Sequence, residues 1–197
     1  MKDFWNERYA EKSFIYGKAP NEFFKQEIDQ LAPGTLLLPC EGEGRNAVYA
    51  AAKKWKVDAF DQSEAGKEKC LKLAAENNTI INYQVADALA FDYGENKYDV
   101  IALIYAHFPV EIRKQVHDKC IKALKPGGTL LLEAFTPLQL QHTSGGPENE
   151  EMLYTVAMLT DDFRDLHITA VNNVKTRLNE GAYHQGEADI IRLIAKK

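Results

Sequence analysis

Two glycines and two aspartates in this sequence have types and positions that suit the binding of a nucleotide. Gly42 and Gly44 lie between an apolar run and a segment of helical period, where glycine lets the backbone turn tightly and a ligand approach it. Asp61 follows the next apolar run, about 20 residues further on, where a carboxylate can hydrogen-bond a ribose. Asp87 ends the third run in the same way. Together these positions predict a nucleotide site, whereas the glycine pair alone predicts only a strand-to-helix turn, and Asp61 alone a helix cap.

Two histidines are candidates for a general base near that site. His107 follows the fourth apolar run, and His184 lies in a glycine-containing connection, residues 179–186, between the last two runs. If the final strand is antiparallel to its neighbours, this connection lies at the ligand edge of the sheet, and Glu180 and His184 border the substrate. The alternatives are a packed or capping role for His107 and a solvated hairpin tip for His184.

The elements that must position these residues alternate between short apolar runs and segments of helical period. This pattern is typical of a parallel β-sheet with helices on its faces. The predicted strands are residues 35–38, 56–60, 80–85, 98–104, 129–135, 168–178 and 188–195, and the predicted helices are residues 46–54, 64–77, 109–124 and 152–163. Ser63 is the predicted N-cap of the second helix. Residues 136–150 are polar and are predicted to form a long functional loop.

Length and charge limit the function. The chain has 197 residues, with 24 Lys+Arg against 29 Asp+Glu and a net charge of −5. This length favours a single domain without a separate recognition domain. A sequence pI of about 5.6 and the lack of a basic run argue against nucleic acid as a partner and favour a small molecule.

Cysteine and histidine spacing predicts neither a disulfide framework nor a metal site. Cys40, Cys70 and Cys120 are odd in number and include no C-x-x-C pair, which is typical of reduced thiols. The other histidines lack metal-ligand spacing. The charged N-terminus predicts no signal peptide, and the longest apolar stretch, residues 100–110, is too short for a membrane span. We therefore expect a cytoplasmic protein.

These motifs, taken in order, resemble those of the class I S-adenosylmethionine-dependent methyltransferases, and more narrowly the small bacterial group related to tellurite-resistance and thiopurine methyltransferases. The matching segments are residues 4–9, 16–21, 42–47, 61–63, 87, 124–128, 133–137 and 180–186. The resemblance implies an α/β fold: a three-layer Rossmann-like sandwich with a seven-stranded, mostly parallel sheet of order 3-2-1-4-5-7-6 and an antiparallel strand 7. It also implies one methyltransferase domain, residues 1–197, with a lid segment (1–30), a cofactor-binding core (31–135) and an acceptor loop, helix and closing hairpin (136–197).

The resemblance further implies which residues hold S-adenosylmethionine and, after transfer, S-adenosylhomocysteine. Gly42 and Gly44 would hold the amino-acid portion, with Asn46 at the helix start. Asp61 would bind the ribose hydroxyls. The other implied cofactor-binding residues are Gln62, Asp87 and Ala88 at the adenine, Trp5, Tyr16 and Gly17 in the lid, and Tyr105.

The candidate residues of the acceptor site lie at the same predicted edge of the sheet. They are Arg45, His107, Glu180 and His184, with Tyr105 and the loop 136–150. Methyl transfer is an in-line displacement that depends mainly on alignment, so a soft nucleophile such as a thiolate or a chalcogen lone pair can react without a general base. Where the acceptor must lose a proton, His107 and His184 are the candidate bases. Arg45 is the nearest candidate for binding an anionic acceptor.

The cofactor loop departs from the family pattern at two positions. Leu38 and Cys40 stand where the family has an acidic residue and a glycine. The acidic residue holds the cofactor ammonium group in the family, which leaves Glu41 or Glu43 as substitutes in this chain.

Two other interpretations of the sequence remain open. An NAD(P)-dependent oxidoreductase would also use a glycine loop and Asp61. However, the two Tyr-x-x-x-Lys strings, residues 49–53 and 93–97, are badly placed for catalysis, and Ala47 stands where a third glycine is expected. The second alternative is a non-catalytic S-adenosylmethionine-binding protein, which the changes at Leu38 and Cys40 favour.

Overall fold

The central element of the protein is a seven-stranded sheet of order β3-β2-β1-β4-β5-β7-β6, seen in a computed structural model that describes residues 2–197. The strands are β1 Thr35–Pro39, β2 Lys56–Asp61, β3 Asn82–Val85, β4 Tyr98–Ile104, β5 Leu124–Phe135, β6 His167–Asn179 and β7 Gln185–Lys196. Strands β1 to β5 pair in parallel, whereas β7 is antiparallel to both β5 and β6. The fold class and strand order expected from the sequence are confirmed.

Within residues 2–197, six α-helices accompany the sheet. They are α1 Lys2–Tyr9, α2 Glu22–Ile28, α3 Arg45–Ala52, α4 Glu64–Glu76, α5 Val110–Ala123 and α6 Val156–Asp162. Helix α6 is shorter than the predicted helix 152–163, because residues Glu150–Met152 form a separate 3₁₀ turn. Residues 136–150, predicted as a loop, contain a second 3₁₀ turn at Pro137–Gln141. Helix α5 ends at Ala123, so Leu124 begins β5 rather than closing the helix.

Two apolar clusters, one on each face of the sheet, hold the layers together. Successive residues of a strand point to opposite faces, so Leu37 joins Val116 and Cys120 of α5 in one cluster. Leu36 and Leu38 join the other cluster, which includes α2, α3 and α4. This burial on both faces explains why the central strands read as continuous apolar runs.

The described part of the chain, residues 2–197, contains no helix long and apolar enough to cross a membrane. Within the same residues there is no grouping of His, Cys, Asp and Glu side chains suited to a metal ion. Cys40, Cys70 and Cys120 are free thiols.

Candidate cofactor and acceptor site

A cavity of about 540 Å³, here called the larger cavity, opens at the carboxyl edge of β1, β2 and β4. It brings together most of the residues singled out from the sequence: Trp5, Tyr16, Gly17, Arg45, Asn46, Asp61, Gln62, Asp87, Ala88, Tyr105, His107 and His184. Gly42, Gly44 and Glu180 do not line the cavity but lie behind its wall. Parallel strands end at one edge of a sheet, so the motifs that follow them converge there.

The two glycines of the loop after β1 are required by backbone conformation and by close packing. Gly42 has φ +60° and Gly44 φ +89°, a region that other residues rarely adopt. A Cβ atom on Gly42 would lie 2.5 Å from the Tyr9 hydroxyl, and one on Gly44 would overlap the side chain of Cys70. The glycines thus let α1 and α4 pack directly against the loop.

Asp61, the last residue of β2, presents a buried carboxylate to the larger cavity. One oxygen accepts a hydrogen bond from the Ser63 backbone N–H (2.9 Å), and the other from the Gly42 N–H (3.3 Å). The side chain of Ser63, not that of Asp61, caps α4 by accepting from Gly66 N–H. Burial raises the pKa of Asp61 to about 6, and the described residues provide no cation to pair with it.

The structure distinguishes the two candidate substitutes for the missing acidic residue. Glu43 is already engaged, since it forms an ion pair with Lys69 at 2.7 Å and accepts from the backbone N–H groups of Ile15 and Tyr16 at 3.3 Å each. Glu41 caps α3 with one oxygen, which accepts from the N–H groups at the helix start. Its other oxygen has only a long contact, 3.4 Å from Asn46 Nδ2. Glu41 lines the larger cavity, and burial raises its pKa to about 7.

Helix α1 packs over the loop that contains Gly42 and Gly44. The Asn6 side-chain oxygen accepts a hydrogen bond from Ser63 Oγ at 2.7 Å, so the helix is tied to the start of α4. Tyr9 is buried against the glycine loop, and Trp5 stacks on Tyr9 with ring centroids 5.3 Å apart. Trp5 therefore forms part of the cavity wall.

His107 is held by the backbone at both ring nitrogens. Nδ1 lies 2.7 Å from the Met152 carbonyl oxygen, and Nε2 accepts from the Phe135 N–H at 3.1 Å. Burial lowers the pKa of His107 to about 4. The ring is therefore neutral, and with both nitrogens engaged it has no free lone pair for a proton. These contacts agree with the capping alternative.

His184 has a different arrangement that leaves one nitrogen available. Its Nδ1 lies 3.1 Å from Glu180 Oε2, and the same carboxylate oxygen lies 3.0 Å from Arg45 Nη2. Burial lowers the pKa of His184, against the opposing effect of Glu180. Burial alone would raise the pKa of Glu180, but the hydrogen bond from His184 and the charge of Arg45 lower it to about 2. A neutral ring that donates through Nδ1 keeps a lone pair on Nε2, and the residue lines the larger cavity.

Tyr105 is placed beside His184 by the end of β4. It has φ +54°, and its ring stacks on Phe135 at 4.7 Å and meets the His184 ring edge-on at 4.7 Å. Its hydroxyl is buried and has no hydrogen-bond partner among the described residues. Burial and the nearby charges of Glu133 and Glu180 raise the pKa of Tyr105, so the hydroxyl stays protonated.

Several residues of the site were not predicted from chemical pattern alone. Asn21 caps α2, and its Nδ2 also donates to Glu133 at 2.6 Å and to Glu180 at 3.1 Å. Phe135 forms the floor beneath Tyr105 and His184. Both residues lie within segments that carried the family resemblance, residues 16–21 and 133–137, but no chemical pattern distinguishes Phe135 from an ordinary buried strand residue.

The comparisons with known proteins agree with this geometry. Residues 38–128 match the family model described as a methyltransferase domain. No curated protein sequence matches the chain significantly. The matched segment, the sheet order and the site at its carboxyl edge agree with the class I S-adenosylmethionine-dependent methyltransferases that the sequence resembles.

Solved structures show the same fold at low sequence identity. TehB from Haemophilus influenzae is 17% identical, with a TM-score of 0.72; the alignment covers 100% of this chain and 66% of that one. The methyltransferase NodS from Bradyrhizobium japonicum WM9, in complex with S-adenosylhomocysteine, is 14% identical, with a TM-score of 0.69 and coverage of 100% and 97%. A protein studied for the conversion of a disulfide bond into a thioacetal group during echinomycin biosynthesis is 18% identical, with a TM-score of 0.79 and coverage of 100% and 91%. In its fold, the chain therefore resembles TehB.

The larger cavity fits S-adenosylmethionine, the cofactor of this class. Its volume of about 540 Å³ lies within the range of about 300–1,000 Å³ usual for small-ligand sites. Asp61 offers a carboxylate without a cation partner, and Glu41 offers a second carboxylate with spare acceptor capacity. Such groups suit hydroxyl and ammonium donors, so the donor and acceptor set of the cavity matches the cofactor.

Proposed function

We propose that the chain transfers a methyl group to a small thiol or chalcogen acceptor enclosed in the larger cavity. One observation carries the proposal: a single cavity is lined both by Asp61 and Asp87 at the cofactor edge and by Tyr105 and His184 at the closing hairpin. Cofactor and acceptor can therefore meet within the same enclosure. Bound S-adenosylmethionine supplies an electrophilic methyl group there.

For the cofactor, the proposal assigns one function to each candidate residue in or beside the larger cavity. Asp61 binds the ribose hydroxyls, since its buried oxygens already accept from backbone N–H groups and have further lone pairs. Gln62, Asp87 and Ala88, which line the same wall, surround the adenine. Glu41 takes the ammonium group in place of the family's acidic residue. Gly42, Gly44 and Asn46 shape the loop, and Trp5, Tyr16 and Gly17 cover it.

For the acceptor, the proposal assigns the general base to His184. A thiol at neutral pH is mostly protonated, and the thiolate is the nucleophile. Nε2 of the neutral His184 ring can accept the thiol proton, while Glu180 fixes the tautomer by accepting from Nδ1 and stabilises the charged ring that forms. Arg45 holds Glu180 in place. His107 positions the end of β5 rather than moving a proton.

The cavity and one structural neighbour support a sulfur acceptor. Apolar groups from Phe108, Ile112, Phe135 and Met152 line the cavity, and such walls exclude water from a soft nucleophile. The echinomycin-related neighbour is described by chemistry at sulfur. The proposal retains a cytoplasmic location, which the three free thiols support.

Two experiments test the proposal against its alternatives. Calorimetry with S-adenosylmethionine, S-adenosylhomocysteine and NAD should show binding of the first two only; tight binding of NAD alone would contradict it. A screen with methyl-labelled S-adenosylmethionine, including alkyl thiols, aromatic thiols, selenite and tellurite, should yield a labelled product from at least one acceptor. Cofactor binding without any labelled product over this panel would favour a non-catalytic binding protein.

A further inference from the structure

A second, smaller cavity of about 230 Å³ adjoins the larger one at the closing hairpin. Arg8, Tyr16 and Gly146 line both cavities. The other walls of the smaller cavity come from the polar loop before α6 and from the hairpin: Thr143, Gly145, Ala182, Tyr183 and Gln185. Arg8 therefore lies where the two spaces meet.

The guanidinium group of Arg8 is held between aromatic rings. Its central carbon lies 4.4 Å from the centroid of the Phe4 ring and 4.7 Å from that of Tyr183. Its Nη1 has one long hydrogen bond, 3.4 Å to the Tyr16 hydroxyl. A guanidinium has five N–H donors, and Arg8 makes only this one hydrogen bond to the described residues, so most of its donors are free for an oxyanion.

The charges around the two cavities favour an anion at Arg8 rather than elsewhere. Arg45 is the other arginine at the walls, but it is committed to Glu180 at 3.0 Å, and its side chain is only 8% exposed. Among residues 2–197, no carboxylate forms an ion pair with Arg8; the nearby Glu11 instead accepts from the Tyr183 hydroxyl at 3.0 Å. The larger cavity is lined by carboxylates, including Glu41, Asp61 and Asp87, whereas no acidic residue lines the smaller one.

Arg8 is also fixed in position before any ligand arrives. It belongs to α1, which is tied to α4 by the contact of Asn6 with Ser63 at 2.7 Å and by the buried Tyr9. The charge of Arg8 acts on His184, whose pKa it helps to lower. A group bound at Arg8 therefore lies in electrostatic range of the candidate base.

We propose that the methyl acceptor is a carboxylate-bearing thiol, with its carboxylate bound by Arg8 in the smaller cavity and its thiol beside His184 in the larger one. This inference rests on the proposed function and names its substrate class. It replaces Arg45, the sequence-based candidate for an anion contact, with Arg8. The Arg8–carboxylate pair determines specificity, and the chemical step remains the methyl transfer described above.

The test compares two ligands that differ only in charge, para-(mercaptomethyl)benzoate and its carboxamide. Their affinities are measured by calorimetry on protein saturated with S-adenosylhomocysteine, so no turnover is needed. The wild-type protein should bind the carboxylate about tenfold to a hundredfold more tightly than the amide, as expected for a charge-assisted pair. Arg8→Met should abolish this preference, and Arg8→Lys should restore part of it. Lys12→Met is the matched control, because Lys12 is exposed and lines neither cavity.

Each other outcome overturns the inference. Equal affinity for the two ligands in the wild-type protein, no measurable binding of the carboxylate, or a preference that persists in Arg8→Met would show that Arg8 does not select the acceptor. If Arg8→Met instead loses affinity for S-adenosylhomocysteine while the ligand preference is unchanged, Arg8 binds the cofactor carboxylate. Failure of the wild-type protein to bind S-adenosylhomocysteine at all would contradict the proposed function itself.

Discussion

Nδ1 of His184 lies 3.1 Å from Oε2 of Glu180, four residues earlier in the same hairpin connection. Glu180 in turn meets Arg45 from the start of α3, 3.0 Å away on the same oxygen. The hairpin and the cofactor loop are thus joined by one buried chain of charged and polar groups. These linked groups place the neutral imidazole of His184, with its Nε2 free, at the wall that cofactor and acceptor would share.

Removal of the His184 ring should slow methyl transfer to an alkyl thiol. With His184→Ala we expect kcat/KM to fall by about a hundredfold or more, the usual contribution of a general base. The remaining rate should depend on the thiolate already present and should rise about tenfold per pH unit below the thiol pKa. Initial rates with labelled cofactor between about pH 6 and 9 measure both effects. His167→Ala, at an exposed position in β6, is the control; equal rates in the two variants would exclude His184 as the base.

Asp61 should show opposite effects on cofactor binding and on stability. Burial raises its folded-state pKa from the ordinary value of 3.8 to about 6, so the folded protein binds the proton more tightly than the unfolded chain does. Stability from this group is present below about pH 4 and is lost as the pH rises to about 6. Asp61→Asn removes this pH dependence, so between about pH 4 and 7.5 the free energy of unfolding of the variant should gain about 1–2 kcal/mol relative to the wild-type protein. A loss that does not depend on pH offsets this gain, because the amide leaves one of the two backbone N–H groups without an acceptor.

The same variant should bind S-adenosylmethionine at least about tenfold more weakly, because the amide offers one acceptor oxygen instead of two. Urea unfolding and calorimetry measure the two quantities separately. Loss of stability near neutral pH without loss of affinity would mean that Asp61 has only a structural function.

Cofactor binding should be linked to the release of a proton by Glu41. Burial raises the pKa of this group to about 7, so a large fraction is protonated just below neutral pH, and an ammonium ligand favours the ionised form. We expect affinity for S-adenosylmethionine to rise between about pH 6 and 8. Calorimetry in buffers of different ionisation enthalpy should detect the released proton.

Glu41→Gln provides the control for this linkage, because the amide oxygen can still accept the two N–H groups at the start of α3. The variant should bind the cofactor more weakly, and the pH dependence across this range should flatten. An unchanged pH dependence would assign the proton to another group.

Gly44 should tolerate alanine less well than Gly127, although both have a positive φ. Gly44 has φ +89° and faces Cys70, whereas Gly127 has φ +79° and open space within 4 Å of the position that a Cβ atom would take. Gly127→Ala should therefore cost about 1 kcal/mol from backbone strain alone. Gly44→Ala should cost about 2–4 kcal/mol, because overlap adds to strain. Chemical denaturation of the two variants measures the difference, and equal losses would show that the contact with Cys70 is unimportant.

Most of the sheet could be predicted because the local pattern and the burial agree there. Leu36, Leu37 and Leu38 are buried on alternate faces, so β1 appears as a short apolar run. Helices α1 and α2 have only eight and seven residues, which is too short for a helical period to locate them, although Phe24 and Ile28 of α2 are buried four residues apart. Their positions depend on contacts distant in sequence, such as Asn6 with Ser63 and Asn21 with Glu133.

The sequence could predict which residues form the candidate site but not which of them contact one another. Asp61, Asp87 and His184 follow from strand ends and sheet topology. Which of Glu41 and Glu43 is available to a ligand cannot be predicted from the sequence, because Glu43 is engaged by Lys69 and by the backbone N–H groups of residues 15 and 16. Arg45 is paired with a residue 135 positions away, whereas Arg8 has no ion pair among residues 2–197. Partners of this kind cannot be read from spacing along the chain.

The proposed reaction is tested most stringently by transfer of label from methyl-labelled S-adenosylmethionine to para-(mercaptomethyl)benzoate. Wild-type protein, His184→Ala and Asp61→Asn would be compared at saturating acceptor. We expect the wild-type protein to form a labelled thioether together with S-adenosylhomocysteine. His184→Ala should be slower even at saturating cofactor, whereas Asp61→Asn should recover rate as the cofactor concentration increases. Wild-type protein that binds the cofactor but forms no labelled thioether from this acceptor or from any other thiol of the panel would contradict the proposed reaction. A labelled product from the uncharged thiols alone would contradict only the preference for a carboxylate.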